Sequence, residues 1–218
     1  ASNTCSWRWV GGLHTKGKTY LARPSNIERF TNGRFSPGGE LAPNAPPLFE
    51  GIEHLQRPLP VNDTAKPDKN FGLLLHEEDM DAGFIQARFN INSVAGFLCT
   101  RARSPLAISE DVSNYARSAM RDAVSRHPGA DIFVTAEAIL TWAKQNNIET
   151  VLLPYAPTGP VKDALAAVRN VLGQNDVKTA AFIRDYDKAC WPYADRGFFK
   201  LKKKMPKIIG AFSHAKLF

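Results

Sequence analysis

The sequence predicts an α/β fold: a five-strand, mostly parallel sheet with helices on both faces. Three observations carry this. Five short apolar runs lie between residues 71 and 183 without the polar alternation of half-exposed strands, the pattern of strands buried on both faces. Amphipathic segments of helical length separate several of them. The connections are short and carry turn and capping residues, so strand and helix alternate as in βαβ units.

Taken in order, the strand runs are Phe71-Gly72-Leu73-Leu74-Leu75, Val94-Ala95-Gly96-Phe97-Leu98, Ile132-Phe133-Val134, Val151-Leu152-Leu153 and Ala180-Ala181-Phe182-Ile183. Ser109 can N-cap a helix through Arg126, its hydroxyl accepting a free N–H, and Pro128-Gly129 stops it. Val112, Tyr115, Ala119 and Ala123 fall on that helix's apolar face. Thr135 caps a second helix over Ala136–Gln145 that buries Ile139 and Trp142. Thr158 and Pro160 open a third, carrying Val161, Leu165, Val168 and Leu172, and Gly173 ends it.

Ahead of this domain the composition changes. Ser36-Pro37-Gly38-Gly39 opens a stretch holding Pro43, Pro46, Pro47, Pro58, Pro60 and Pro67. Proline fixes φ and lacks an N–H, so this reads as a loop with at most a short helix around Glu50–Gln56. The expected organisation is an N-terminal piece over 1–45, a Pro-rich linker over 46–69, and an α/β domain with a basic tail over 70–218.

The 218 residues are 44% hydrophobic, which excludes a disordered or collagen-like chain. No apolar run approaches the ~18–20 residues of a membrane span. The first residues lack the basic and apolar regions of a secretory signal. The sequence starts at Ala1 rather than Met, which reads as a processed product or a fragment. Cys5, Cys99 and Cys190 are far apart and form no C-x-x-C, so neither a disulfide scaffold nor a local zinc ribbon is encoded. A reducing cytoplasm is expected. The net charge is +7, and residues 184–218, with nine basic and three acidic groups, hold most of it. Such clustering marks a candidate surface for nucleic acid or another polyanion, or a solvated tail.

In open parallel sheets, ligands bind beyond the carboxyl ends of the strands. Those ends are 76–79, 100–103, Thr135, 154–158 and 184–187. Pro154-Tyr155-Ala156-Pro157-Thr158-Gly159-Pro160 is a stiff loop into a helix N-terminus, able to present N–H groups to an anion or to serve only as a connection. His76-Glu77-Glu78-Asp79 reads as an exposed acidic turn, because consecutive side chains diverge and seldom converge on one metal ion. Gly12-Leu13-His14-Thr15-Lys16-Gly17-Lys18-Thr19 has P-loop spacing, yet Pro24 would break the helix that a P-loop must open. It reads as a chance match. Neither G-x-S-x-G nor H-E-x-x-H occurs. From Trp191 to Lys204 aromatics alternate with basic groups. Lys200, Lys202, Lys203 and Lys204 can neutralise phosphate while rings stack on bases. The other reading packs Trp191, Phe198 and Phe199 onto the sheet and leaves the lysines to water.

The first 37 residues, taken together, resemble the flavin-binding domain of the DNA photolyase/cryptochrome family. The matching features are Ala1-x-Asn3, Trp7-x-Trp9 with the turn Val10-Gly11-Gly12, Gly17-Lys18-x-Tyr20, Asn26-Ile27 and Arg34-Phe35-Ser36-Pro37. The resemblance implies that Asn3 sits against flavin N5 and that Trp7 is the flavin-proximal electron relay. It implies FAD as cofactor, damaged DNA as partner, and light-driven repair of pyrimidine dimers as the activity of the parent protein. A blue-light receptor without repair activity would carry the same two residues. A nucleotide-binding module using Gly12–Thr19 is the alternative from a different class. The family's Asp-containing segment and upstream helices are not in this sequence, so 1–45 reads as a short helical remnant of the flavin domain. By itself the chain is then expected to be inactive and to hold FAD weakly or not at all, with the N-terminal part of the same protein as a partner. The α/β pattern that follows resembles the family's antenna-type domain in element order, placed at the other end of the chain.

Overall fold

The computed structural model describes residues 23–39, 59–65, 70–194 and 198–213. The chain divides into two compact units, Ala1–Arg57 and Pro58–Phe218. The possible helix at Glu50–Gln56 lies outside the described residues.

In the first unit, helix α1 spans Pro24–Phe30. Pro24, read from sequence as a helix breaker, stands at its first turn, where the missing N–H costs nothing and the fixed φ suits a helix. The helix ends at Thr31, whose hydroxyl donates to the Ile27 carbonyl at 2.7 Å. Asn32 and Gly33 follow with φ of 52° and 75°.

The second unit holds strands β1 (Phe71–His76), β2 (Ile91–Phe97), β3 (Asp131–Phe133), β4 (Thr150–Pro154) and β5 (Lys178–Phe182). They form one sheet in the order β3-β2-β1-β4-β5, every pair parallel. Helices α2 (Gly83–Gln86), α3 (Glu110–Ser125), α4 (Ala136–Gln145), α5 (Pro160–Gly173), α6 (Asp185–Cys190), α7 (Phe198–Lys202) and α8 (Met205–Ser213) accompany it, with a 3₁₀ turn at Thr100–Arg103. The chain steps outward through β1, β2 and β3 with α2 and α3 on one face. It then crosses to the far side of β1 and builds β4 and β5 with α4 and α5 on the other face. This is a doubly wound, Rossmann-like topology.

The unalternated run in β1 follows from this placement. Leu73 and Leu75 pack with Ile85, Ala116 and Met120 on the α2/α3 side. Leu74 packs with Ile139, Trp142 and Leu165 on the α4/α5 side. All three leucines are fully buried, each contributing about 1.5–3 kcal/mol. The expected caps form as well. Ser109 accepts the Val112 N–H, Thr135 accepts the Ala138 N–H, and Pro160 opens α5.

One expected face is rotated. On α3 the buried residues are Ala116, Met120, Ala123 and Val124, whereas Val112 is 42% and Tyr115 77% exposed. Met120 lies over Gly96, where a Cβ would come within 2.7 Å of its sulfur. That close contact turns the Ala116–Met120–Ala123 stripe toward β2 and leaves Tyr115, about 100° away around the helix, outside.

Residues 59–65 cover the free edge of β5. The Asp63 N–H donates to the Ala181 carbonyl at 2.9 Å. The Ala181 N–H donates to the Asp63 carboxylate, and the Ile183 N–H to the Asn62 side-chain oxygen, each at 2.8 Å. An edge strand with its donors occupied is a poor template for further pairing. Among the described residues, no helix is long and apolar enough to cross a membrane.

Candidate functional site at the carboxyl edge of the sheet

Because the strands are parallel, the five expected carboxyl ends gather along one edge. The chain reverses its direction of winding between β1 and β4, and a crevice is expected there. In this protein His76 spans that gap. Its ring is fully buried, and Nε2 lies 2.9 Å from the Pro154 carbonyl oxygen at the end of β4. Nδ1 accepts the Glu78 N–H at 3.3 Å. This assigns the proton to Nε2, which donates it to Pro154. Burial pushes the His76 pKa below its ordinary value; the Pro154 bond and the acids at 77–79 oppose that shift without overcoming it.

Of the neighbouring acids, Glu77 and Asp79 serve different partners. The Glu77 side chain is buried. One of its oxygens accepts the Cys99 N–H and the Thr100 hydroxyl, each at 2.7 Å. Its other oxygen meets the Arg103 guanidinium as an ion pair. Glu77 therefore ties the end of β1 to the turn after β2. Asp79 pairs with Arg184, which also donates to the Asp81 carbonyl and lies 4.6 Å over the Phe84 ring. Glu78 alone of the four is exposed. The exposed acidic turn expected from sequence is thus a set of divergent structural clamps. No metal-binding group of acids, histidines and cysteines forms among the described residues.

Beyond β2 and β3 the edge is open. A cleft of about 750 Å³ lies between the 3₁₀ turn, the N-terminal half of α3, the start of α4, and the side of α5. Arg101 and Arg117 stand on its wall, and no carboxylate lines it. The small residues Ala164 and Ala167 keep the α5 side shallow. Cys99 also borders it, but burial, foremost, and the Glu77 charge push that thiol up to about 11. It stays protonated and is not a nucleophile at neutral pH.

The residues expected from sequence are distributed as follows. Asn3, Trp7 and Gly12–Thr19 lie outside the described residues. None of the described residues of the first unit, 23–39, is buried. The loop from Tyr155 to Pro160 is held at its start, where the Tyr155 N–H donates to the Phe182 carbonyl at 2.8 Å and the Tyr155 ring meets Trp191 edge-on. Lys200 and Lys202 lie on α7, and Lys203 and Lys204 follow it; Lys204 sits 5.6 Å over the Tyr193 ring. The expected packing of Phe198 and Phe199 onto the sheet does not occur. They are 57% and 75% exposed and touch each other edge to face. The tail is anchored instead by buried Ile208 and by Phe212 against Tyr186.

Sequence reasoning missed Arg101 and Arg117. The signal available was position: 100–103 is a strand's carboxyl end, and Arg117 stands two turns into the next helix. Compared with known proteins, the chain matches no protein-family model and no curated sequence.

Proposed function

We propose that this chain is part of a photolyase/cryptochrome-type flavoprotein, one that moves an electron from light-excited FAD to pyrimidine dimers in DNA. The observation that carries the reading is the sequence stretch 1–37, with Asn3, the Trp7-x-Trp9 pair, and Arg34-Phe35-Ser36-Pro37 in family order. The five-strand parallel unit supports it through its layout, which resembles the family's antenna-type domain.

In this reading the Asn3 amide faces flavin N5, where one side chain can donate or accept as the ring changes protonation state. The Trp7 indole, close to the flavin, is an oxidisable relay. When bound, FAD supplies the electron, and the protein supplies position and electrostatics. The remaining wall of the flavin cavity comes from the N-terminal part of the same protein, and damaged DNA is the macromolecular partner.

Illumination of the full-length parent with thymine-dimer DNA tests the proposal. Flavin absorption bands with light-dependent loss of dimers are expected, and Trp7→Phe is expected to slow flavin photoreduction. Flavin bands without dimer loss would replace the repair reading with a photoreceptor. Absence of flavin from the purified parent would remove both.

A further inference from the structure

We infer that the cleft beyond β2 and β3 binds a phosphate monoester carried on an aromatic or apolar group, the size of a nucleoside monophosphate. The inference rests on the second unit alone and stands whether or not the flavoprotein reading holds.

The distribution of arginines is the first argument. In the described part of the second unit, Arg88, Arg103, Arg126, Arg169 and Arg184 each face a carboxylate. The side chains of Arg101, Arg117 and Arg121 have no ion pair or hydrogen bond among the described residues. Two of these three stand on the same cleft, contributed by different elements. Yet residues 70–183 hold twelve acids against ten basic groups, so carboxylates are plentiful nearby. Two guanidinium groups with no carboxylate partner, on one cleft whose wall carries no acid, present N–H donors suited to phosphate oxygens.

The remaining wall fits the other end of such a ligand. Val134, the residue after β3, is 65% exposed at the cleft, an apolar side chain that nothing in the described unit covers. Leu98 and Val168 continue the apolar surface, and Ala167 leaves room over it. The Thr135 hydroxyl accepts the Ala138 N–H at 3.2 Å and so keeps its own proton to give. The volume of about 750 Å³ lies within the range of small-molecule sites, roughly 300–1,000 Å³. Its position beyond strand carboxyl ends is where open parallel sheets bind ligands. The crevice between β1 and β4 is bridged by His76, so the open site sits toward the β2/β3 side instead.

Calorimetric titration of the full chain with AMP, adenosine and inorganic phosphate tests this. AMP should bind more tightly than either of its parts, and added salt should weaken AMP but not adenosine. Arg101→Ala and Arg117→Ala should each weaken AMP by about tenfold or more and leave adenosine unchanged. Arg121→Ala, which removes the same charge from α3 away from the cleft, should leave AMP binding intact. Ala167→Trp should abolish binding of both AMP and adenosine while the melting temperature stays that of the native chain. These side chains are exposed, so thermal melts report directly that each variant folds. The inference is overturned if AMP binds no tighter than adenosine, if Arg121→Ala weakens AMP as much as the cleft arginines do, or if folded Ala167→Trp still binds.

Discussion

His76 has both ring nitrogens committed, and this makes it a titration point for stability. A second ring proton would set an N–H against the Glu78 N–H that now donates to Nδ1. Burial disfavours the charge as well. The folded pKa therefore lies below the ordinary 6.5. Above about pH 6.5, folded and unfolded chains are both neutral at this ring, and its contribution is complete. As pH falls below that, the unfolded chain takes the proton first, and stability is lost until the folded pKa is reached. Thermal melts between about pH 7 and 5 should show a falling midpoint. In His76→Gln, where an amide can still donate to Pro154, the midpoint starts lower and the dependence is shallower. His127 is also lowered, by burial and by Arg126, so the comparison is made in a His127→Gln background. An unchanged slope in His76→Gln would show that His76 is not the group responsible. Glu77 makes a different prediction. Its carboxylate serves the Cys99 N–H, the Thr100 hydroxyl and Arg103 together. Glu77→Ala strands those donors and should cost about 2–3 kcal/mol in urea unfolding. Glu77→Gln keeps one acceptor oxygen and should cost less.

At the scale of elements, local signals and pairwise packing divide the fold between them. Ser109 and Thr135 mark helix starts by their side-chain hydroxyls and Pro160 by its fixed φ, and those ends were legible. β1 and β4 were legible because strands buried on both faces take runs of apolar residues; β2, β3 and β5 showed only through the apolar part of each, since their first residues are exposed or half-exposed. The rotation of α3 was not legible, because it depends on Met120 meeting Gly96 on another element. The same holds for the candidate site. His76 and Pro154 are 78 residues apart, and Glu77 and Thr100 are 23 apart, so no local pattern joins them. Helices as short as α2 and α6 carry too few residues to show a period. Gly72 shows how such a contact becomes a constraint. A Cβ there would stand 2.6 Å from both the Trp142 ring and Ile148. Neither can move far inside the α4/α5 core, so Gly72→Ala should destabilise by about 1–3 kcal/mol. Gly96→Ala meets the flexible end of Met120 and should cost less. Equal losses in urea unfolding would mean that the two cores yield alike.

At the scale of the molecule, the second unit begins before its first strand. Asn62 and Asp63 precede β1, yet they occupy donors of β5, the last strand in the chain and an edge of the sheet. The Pro-rich composition around them explains the geometry: prolines cannot join a ladder, so this stretch caps the edge through side-chain oxygens and one backbone pair. A fragment of residues 58–218 should therefore unfold in one cooperative transition. A fragment of 70–218 keeps every strand and helix of the unit but loses those three hydrogen bonds, each worth about 0.5–1.5 kcal/mol. It should be less stable by about 2–4 kcal/mol. It also bares β5 as an unpaired edge, so it should self-associate as concentration rises while the longer fragment stays monomeric. Denaturant unfolding and light scattering of the two fragments check both effects. Asp63→Ala in the longer fragment should reproduce part of the loss without removing any chain. If 70–218 matched 58–218 in stability and stayed monomeric, the segment before β1 would be a passenger, and the sheet edge would be protected by some other means.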